Sequence, residues 1–503
     1  MKLRYILYAS LFTVVGFSIL NSCTEDFEEI NSDPLLITRD QVNPDAILTY
    51  VLKPSVFSIA DFGRIGEYAG YVSNPASGFP LQNIFGSFAE YRNGIINIEE
   101  VIRLTEDNPS LSNKNAIAKI WKAWLYYRMT DNFGPVPYSE AAQDFREVIT
   151  MPKYDSQEVI YKDILNILRE AVAQLNVDED LKSYGTADII YEGDTEGWIR
   201  FGNSLRLRLA MRVRYVEPGL ASEHINEVAN SQLITTNDQN ADVVSEGEEA
   251  TINDNRSPIF NYIQNNQSNP LHFTMTVSEN LLKRDDPRLD IYMRPSNSAG
   301  FRSRPFNMVK EDQKPRYDGD SITAVGEYFR AAEFTFNILT AAEVHFLLAE
   351  ASLAGIISGD AEAYFQEGIK LAMELYNVGQ DEMEEYLNSS AAELEGSEEE
   401  MLEEIITQKY LANVYECHEA WAEYRRTGYP LMWIGEGPSD TGGEIPRRQK
   451  YPLDEYAKNK ENVDEAASML SNGDDPMSRV WWDVKEGLPF DHPRQGQFPP
   501  EVY

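Results

Sequence analysis

A chain of 503 residues with 82 acidic and 44 basic side chains carries a formal net charge of −38 at pH 7. Such a field repels phosphate backbones and anionic headgroups, which argues against nucleic-acid binding and electrostatic docking on a membrane. The 28 Tyr, 22 Phe and 7 Trp residues supply flat apolar rings, many with a polar handle, that either fill a core or stack on sugars and peptides.

Lys2 and Arg4 precede an uncharged stretch from Tyr5 to Leu20, which falls short of the ~20 residues a membrane span needs. Leu20-Asn21-Ser22-Cys23 follows and resembles the lipobox of bacterial lipoproteins, in which the cysteine is acylated and becomes the mature N-terminus. Residues 1–22 are therefore expected to be a signal peptide and Cys23 a lipid attachment site. Cleavage removes Lys2 and Arg4 but no acid, so the mature chain is more acidic still. Thr24-Glu25-Asp26-Phe27-Glu28-Glu29 leads to Pro34, and residues 23–34 read as a solvated acidic tether. Cys417, the other cysteine, lies in a helical context that suggests packing. With Cys23 lipidated no intramolecular disulfide can form, so the fold must rest on its core.

Residues 35–503 read as one mostly α domain of helical hairpins with long loop excursions. Tyr71, Phe79, Phe85, Phe88 and Tyr91 fall in a Gly- and Asn-rich segment without helical period. Asn115 to Thr130 carries Ile117, Ile120, Trp121, Trp124 and Leu125 on one side. Gln157 to Leu175 sets Ile160, Ile164, Leu168, Val172 and Leu175 in a stripe. Residues 232–274 are polar with interspersed aromatics, among them Tyr262, Asn266, His272 and Phe273. Thr340 to Ala354 and Ala361 to Tyr376 form a hairpin joined at Gly355 to Gly359, with Ala342, Ala349 and Ala351 permitting close approach. That pair is tetratricopeptide-like, although no clean fixed-period repeat is visible. Residues 388–400 read as an acidic loop or helix start. Arg425, Arg426, Arg447 and Arg448 are expected to bind carboxylates or carbonyls and fix the C-terminal segment to the helices.

The 5 histidines are scattered, with no His-Glu-x-x-His run. No phosphate-binding Gly-Lys-Thr loop, Gly-x-Ser-x-Gly elbow or EF-hand spacing occurs, and carboxylate pairs are too common in so acidic a chain to nominate a glycosidase. The sequence therefore predicts no catalytic residue, no metal site and no cofactor.

Ala118 to Ala142 reads AKIWKAWLYYRMTDNFGPVPYSEAA, a helix stopped by Gly134-Pro135-Val136-Pro137 and followed by a fixed turn. This arrangement resembles the SusD/RagB family of nutrient-binding outer-membrane lipoproteins. Asp286-Pro287-Arg288-Leu289, the helix around Leu348-Ala349-Glu350, Glu419 to Pro430, Glu444 to Arg448, Tyr451-Pro452 and Trp481-Trp482-Asp483 extend the likeness in order. The resemblance implies a SusD-like helical scaffold on the outer membrane, facing the cell exterior and held by lipid alone. It also implies a partner, a SusC-like TonB-dependent transporter, to which the protein hands an oligosaccharide or a peptide. The acidic run behind Cys23 is similar to the export signal of such lipoproteins. A ligand-free envelope scaffold and a surface hydrolase are the remaining alternatives. The family fixes no binding residue by motif, so Tyr71, Phe79, Phe85, Phe88, Tyr91, Tyr262, Asn266, His272 and Phe273 are nominated because they lie where helical periodicity breaks.

Overall fold

The computed structural model describes residues 41–73, 86, 88–89, 91–143, 149–178, 181–252, 255–266, 271–298, 300–306, 317, 321–435, 441 and 443–497. Cys23, Phe79 and Phe85 lie outside these residues, as do the expected signal peptide and tether. Asp45–Tyr503 forms one compact unit.

Its scaffold is a succession of antiparallel helices. Ile96–Thr105 packs on Ser112–Phe133, which packs on Gln157–Gln174, then on to Thr195–Arg212 and Pro218–Val228. Start signals are explicit: the side chains of Ser156, Asp194 and Thr340 accept hydrogen bonds from the first-turn amides of their helices. The expected hairpin pairs Ala341–Leu353 with Ala361–Leu375. Gly355 supplies the left-handed residue after the first helix, at φ 66°. Gly368 lets the second helix approach closely, since a Cβ there would stand 2.8 Å from the Phe346 ring. The acidic stretch at 388–400 ends in a helix start, where Ser397 and Glu400 form a capping box for Glu398–Ala412.

Among the described residues, four two-stranded antiparallel ladders tie the excursions down. One pairs Val136–Pro137 with Tyr154–Asp155, and another pairs Val72–Ser73 with His272–Phe273. The polar stretch 232–274 is more ordered than its composition suggests. It holds the strand Ala241–Val244 and the helix Pro258–Asn265, whose Ser257 cap and first-turn proline are ordinary start signals.

A buried ionic network crosses the helical layers. Arg208 binds Glu343 through two hydrogen bonds of 2.7 and 2.6 Å, Arg212 reaches Glu419 and Glu423, and Lys409 lies 2.9 Å from Glu419. The C-terminal arginines behave as expected. Arg426 binds Glu350 and Glu423, Arg447 binds Asp483 and Arg448 binds Asp474. Arg425 instead donates to the carbonyls of Asp131 and Arg447, stacked on Trp421, and burial pushes its guanidinium down to about 9. The turn after Ser112–Phe133 is likewise structural: Asp131 accepts from Tyr161 and from Trp482, and Tyr451 donates to the Pro135 carbonyl.

Candidate functional site

Two of the nominated aromatics, Phe88 and Tyr91, line one cavity of about 320 Å³ together with Arg92, Pro137, Pro152, Pro452 and Glu455. That is the lower end of the ~300–1,000 Å³ usual for small-molecule sites.

Tyr91 and Arg92 open a π-helical stretch, Tyr91–Ile95, that runs into Ile96–Thr105. Such stretches are rare and concentrate at functional sites. Gly94 lets this stretch lie close to Ser112–Phe133, because a Cβ there would sit 2.9 Å from the Leu125 side chain. Behind the aromatics, Phe88 meets Phe133 edge-on at 5.0 Å between centroids, and Phe133 lies parallel to Tyr451 at 6.3 Å. Gly86 donates its amide to the Lys450 carbonyl at 2.8 Å. It lies so close to Phe133 that a Cβ would overlap the ring.

One wall is set by the Pro137–Tyr154 ladder pair and the other by the Leu453–Lys458 helix. Tyr154 donates to Glu455 at 2.8 Å, joining the two, and Asn459 donates to the Pro152 carbonyl at 2.8 Å. Lys458 contacts Asp454 at 3.1 Å, one turn away on the same exposed helix face. Tyr91 Oη accepts the Ala142 amide at 2.9 Å. Burial first, then the charges of Glu455 and Glu99, raise its hydroxyl above the ordinary value, so it remains a donor. Arg92 is exposed and, among the described residues, has no salt bridge within 4 Å, although its charge reaches Asp454, behind the contact from Lys458. The apolar side chains Ile149, Met151 and Leu453 are 43%, 59% and 60% exposed; Ile149 itself lines the cavity. Two ring systems, rigid proline walls, the Tyr91 hydroxyl, the Arg92 guanidinium and a carboxylate acceptor suit a small ligand that is part apolar face and part hydrogen-bonding edge.

The other described nominees do not join this site. Tyr71, His272 and Phe273 are buried, and the ladder Val72↔Phe273 explains why. Tyr71 stacks on Tyr410 and donates to the Tyr410 carbonyl at 2.7 Å, His272 Nδ1 donates to the Thr323 carbonyl, and Phe273 packs edge-on against Phe62 and Phe329. These three are core residues, a correction to the loop reading. Tyr262 is half-buried on a helix, and Asn266 caps that helix by donating to the Tyr262 carbonyl at 2.8 Å. Arg92, Pro152 and Glu455 escaped sequence reasoning because they come from distant segments. Arg92 adjoins a nominated tyrosine, the one available signal.

A larger cleft of about 660 Å³ is lined by Glu382, Glu385, Glu393, Glu395 and Glu404, with Lys283 and Arg284. Its aromatic residue, Tyr386, is buried and occupied with Gln408, so the cleft offers no ring face.

Residues 79–452 match the SusD-like family described as "Starch-binding associating with outer membrane". Among solved structures, a chitin-binding protein is 27% identical with a TM-score of 0.76, over 88% of this chain and 100% of its own. A chitin-binding SusD homologue from Flavobacterium johnsoniae is 26% identical with a TM-score of 0.74, over 88% and 98%. A SusD homologue from Bacteroides uniformis is 26% identical with a TM-score of 0.73, over 88% and 99%. No curated protein matches the chain in sequence.

Proposed function

The chain belongs to the SusD-like family of outer-membrane-associated proteins, and from that premise we propose that it captures a neutral glycan in the Phe88–Tyr91 cavity and delivers it to a transporter. It is a nutrient-binding protein and not an enzyme. The observation that carries the glycan reading is the meeting of two aromatic side chains, rigid proline walls and the Arg92 guanidinium in one cavity. Sugars present this combination of apolar ring face and hydroxyl edge.

In this reading Cys23 is acylated after removal of residues 1–22, and residues 23–34 tether a single domain, 35–503, to the outer face of the outer membrane. The partner is a SusC-like TonB-dependent barrel. Because two similar proteins bind chitin, oligomers of β-1,4-linked N-acetylglucosamine are the first ligands to test. A glycan and peptide array probed with the purified chain tests the class of ligand. Binding to glycans that falls on substitution of Phe88 or Tyr91 by alanine supports the proposal, and binding to peptides alone would sink it.

A further inference from the structure

We propose that Arg92 sets the ligand preference of this cavity, by donating to the carbonyl of an acetamido group, so that the site takes a 2-acetamido sugar in preference to a plain hexose or a uronic acid. The inference rests on the glycan reading above and names the sugar class within it.

Among the described residues four charged side chains line the cavity: Arg92, Lys458, Asp454 and Glu455. Lys458 contacts Asp454 in an exposed pair on one helix, and Glu455 accepts the Tyr154 hydroxyl. The Arg92 guanidinium has no salt bridge within 4 Å among the described residues, and its planar fork of donors suits an acceptor on the ligand. A carboxylate acceptor would enter beside two protein carboxylates, in a chain whose net charge is −38. A neutral carbonyl escapes that repulsion. The methyl of an acetamido group is also matched, since Pro137, Ile149 and Pro152 give the cavity an apolar side. Tyr91 and Arg92 are consecutive residues of the π-helical stretch Tyr91–Ile95, and both line the cavity, so one short segment supplies a ring and a guanidinium.

Isothermal titration of the wild-type chain and of Arg92→Leu with N-acetylglucosamine and glucose oligomers of equal length and β-1,4 linkage tests this. The wild type should bind the acetamido oligomer more tightly by about 10-fold or more, the scale of one hydrogen bond to a charged donor. Arg92→Leu should remove most of that difference by weakening the acetamido oligomer more than the glucose oligomer. Arg92→Lys, which keeps the charge but not the planar fork, should fall between them. Equal weakening for both ligands, or no change for either, overturns the role of Arg92 and leaves glycan capture standing. Wild-type protein that binds neither these oligomers nor any other glycan overturns the glycan reading itself, and the role with it.

Discussion

The Arg426 guanidinium lies in a two-pronged contact on the Glu350 carboxylate, Nη1 to Oε1 at 2.6 Å and Nη2 to Oε2 at 2.8 Å, with both side chains shut from solvent. Glu350 sits on the first helix of the central hairpin and Arg426 at the end of the Cys417–Thr427 helix, so this pair clamps the C-terminal region to the scaffold. Arg426→Leu leaves Glu350 and Glu423 buried without that cation. It should destabilise the chain by about 3–5 kcal/mol, the usual cost of breaking a buried ion pair from one side. Chemical denaturation measures this, and a loss below about 1 kcal/mol would show that the network is not a clamp.

The same network fixes the response to acid. Burial pushes the Glu419 carboxyl up, but Arg212, Lys409 and Arg208 outweigh it and hold the group well below the usual carboxylate range. A depressed folded value stabilises the chain above the unfolded value of ~4.3, and that stability is lost as pH falls below it. Glu416 has the opposite sign. Burial raises it to about 7 against the charges of Arg128 and Arg208, so the folded state keeps a proton that the unfolded chain gives up at ~4.3. Stability should therefore decline as pH rises from ~4.3 to about 7 through this group. Glu416→Gln removes the titration and can still cap the Cys417–Thr427 helix. It should gain about 2 kcal/mol at pH 8 relative to pH 5 against wild type, read from denaturant midpoints at both values. An equal difference at the two pH values would remove Glu416 from the account.

Much of this architecture could be read in the chain before folding. Helices with an apolar stripe, such as Gln157–Gln174, announce themselves by period, and the central hairpin by its alanines and the glycine behind it. The four C-terminal arginines were legible because isolated cations in an acidic chain must find partners. What could not be read was which aromatics face solvent. Tyr71 follows a glycine and Phe273 sits in a polar stretch, yet a two-residue ladder between segments far apart in sequence carries both into the core. Pro452 and Glu455 reach the cavity only through the return of the C-terminal segment, which no local pattern encodes.

Gly86 is a second, indirect handle on the cavity. A methyl group at this position would overlap the Phe133 ring that backs Phe88. Gly86→Ala should displace Phe88 and weaken ligand binding by about 10-fold or more, while the helical scaffold keeps its far-ultraviolet circular dichroism. Unchanged affinity would mean that the Phe88 side of the cavity takes no part in binding.

Core and site should separate cleanly. Phe273→Ala empties a fully buried ring position and should cost about 3–5 kcal/mol of stability, with affinity per folded molecule unaltered. Tyr91→Ala removes a half-buried ring and should cost less stability but about 10-fold in affinity. Thermal melts and titrations on the two variants check this, and the reverse pattern would return the ligand to the Val72–Phe273 ladder.

A crystal structure of the chain with its tightest-binding oligosaccharide decides whether the Phe88–Tyr91 cavity holds the ligand. A sugar ring should lie against Tyr91 and Phe88, with Arg92 within hydrogen-bond distance of the ligand. A ligand bound in the acidic cleft around Glu382 and Glu385, with the Phe88–Tyr91 cavity empty, would contradict it.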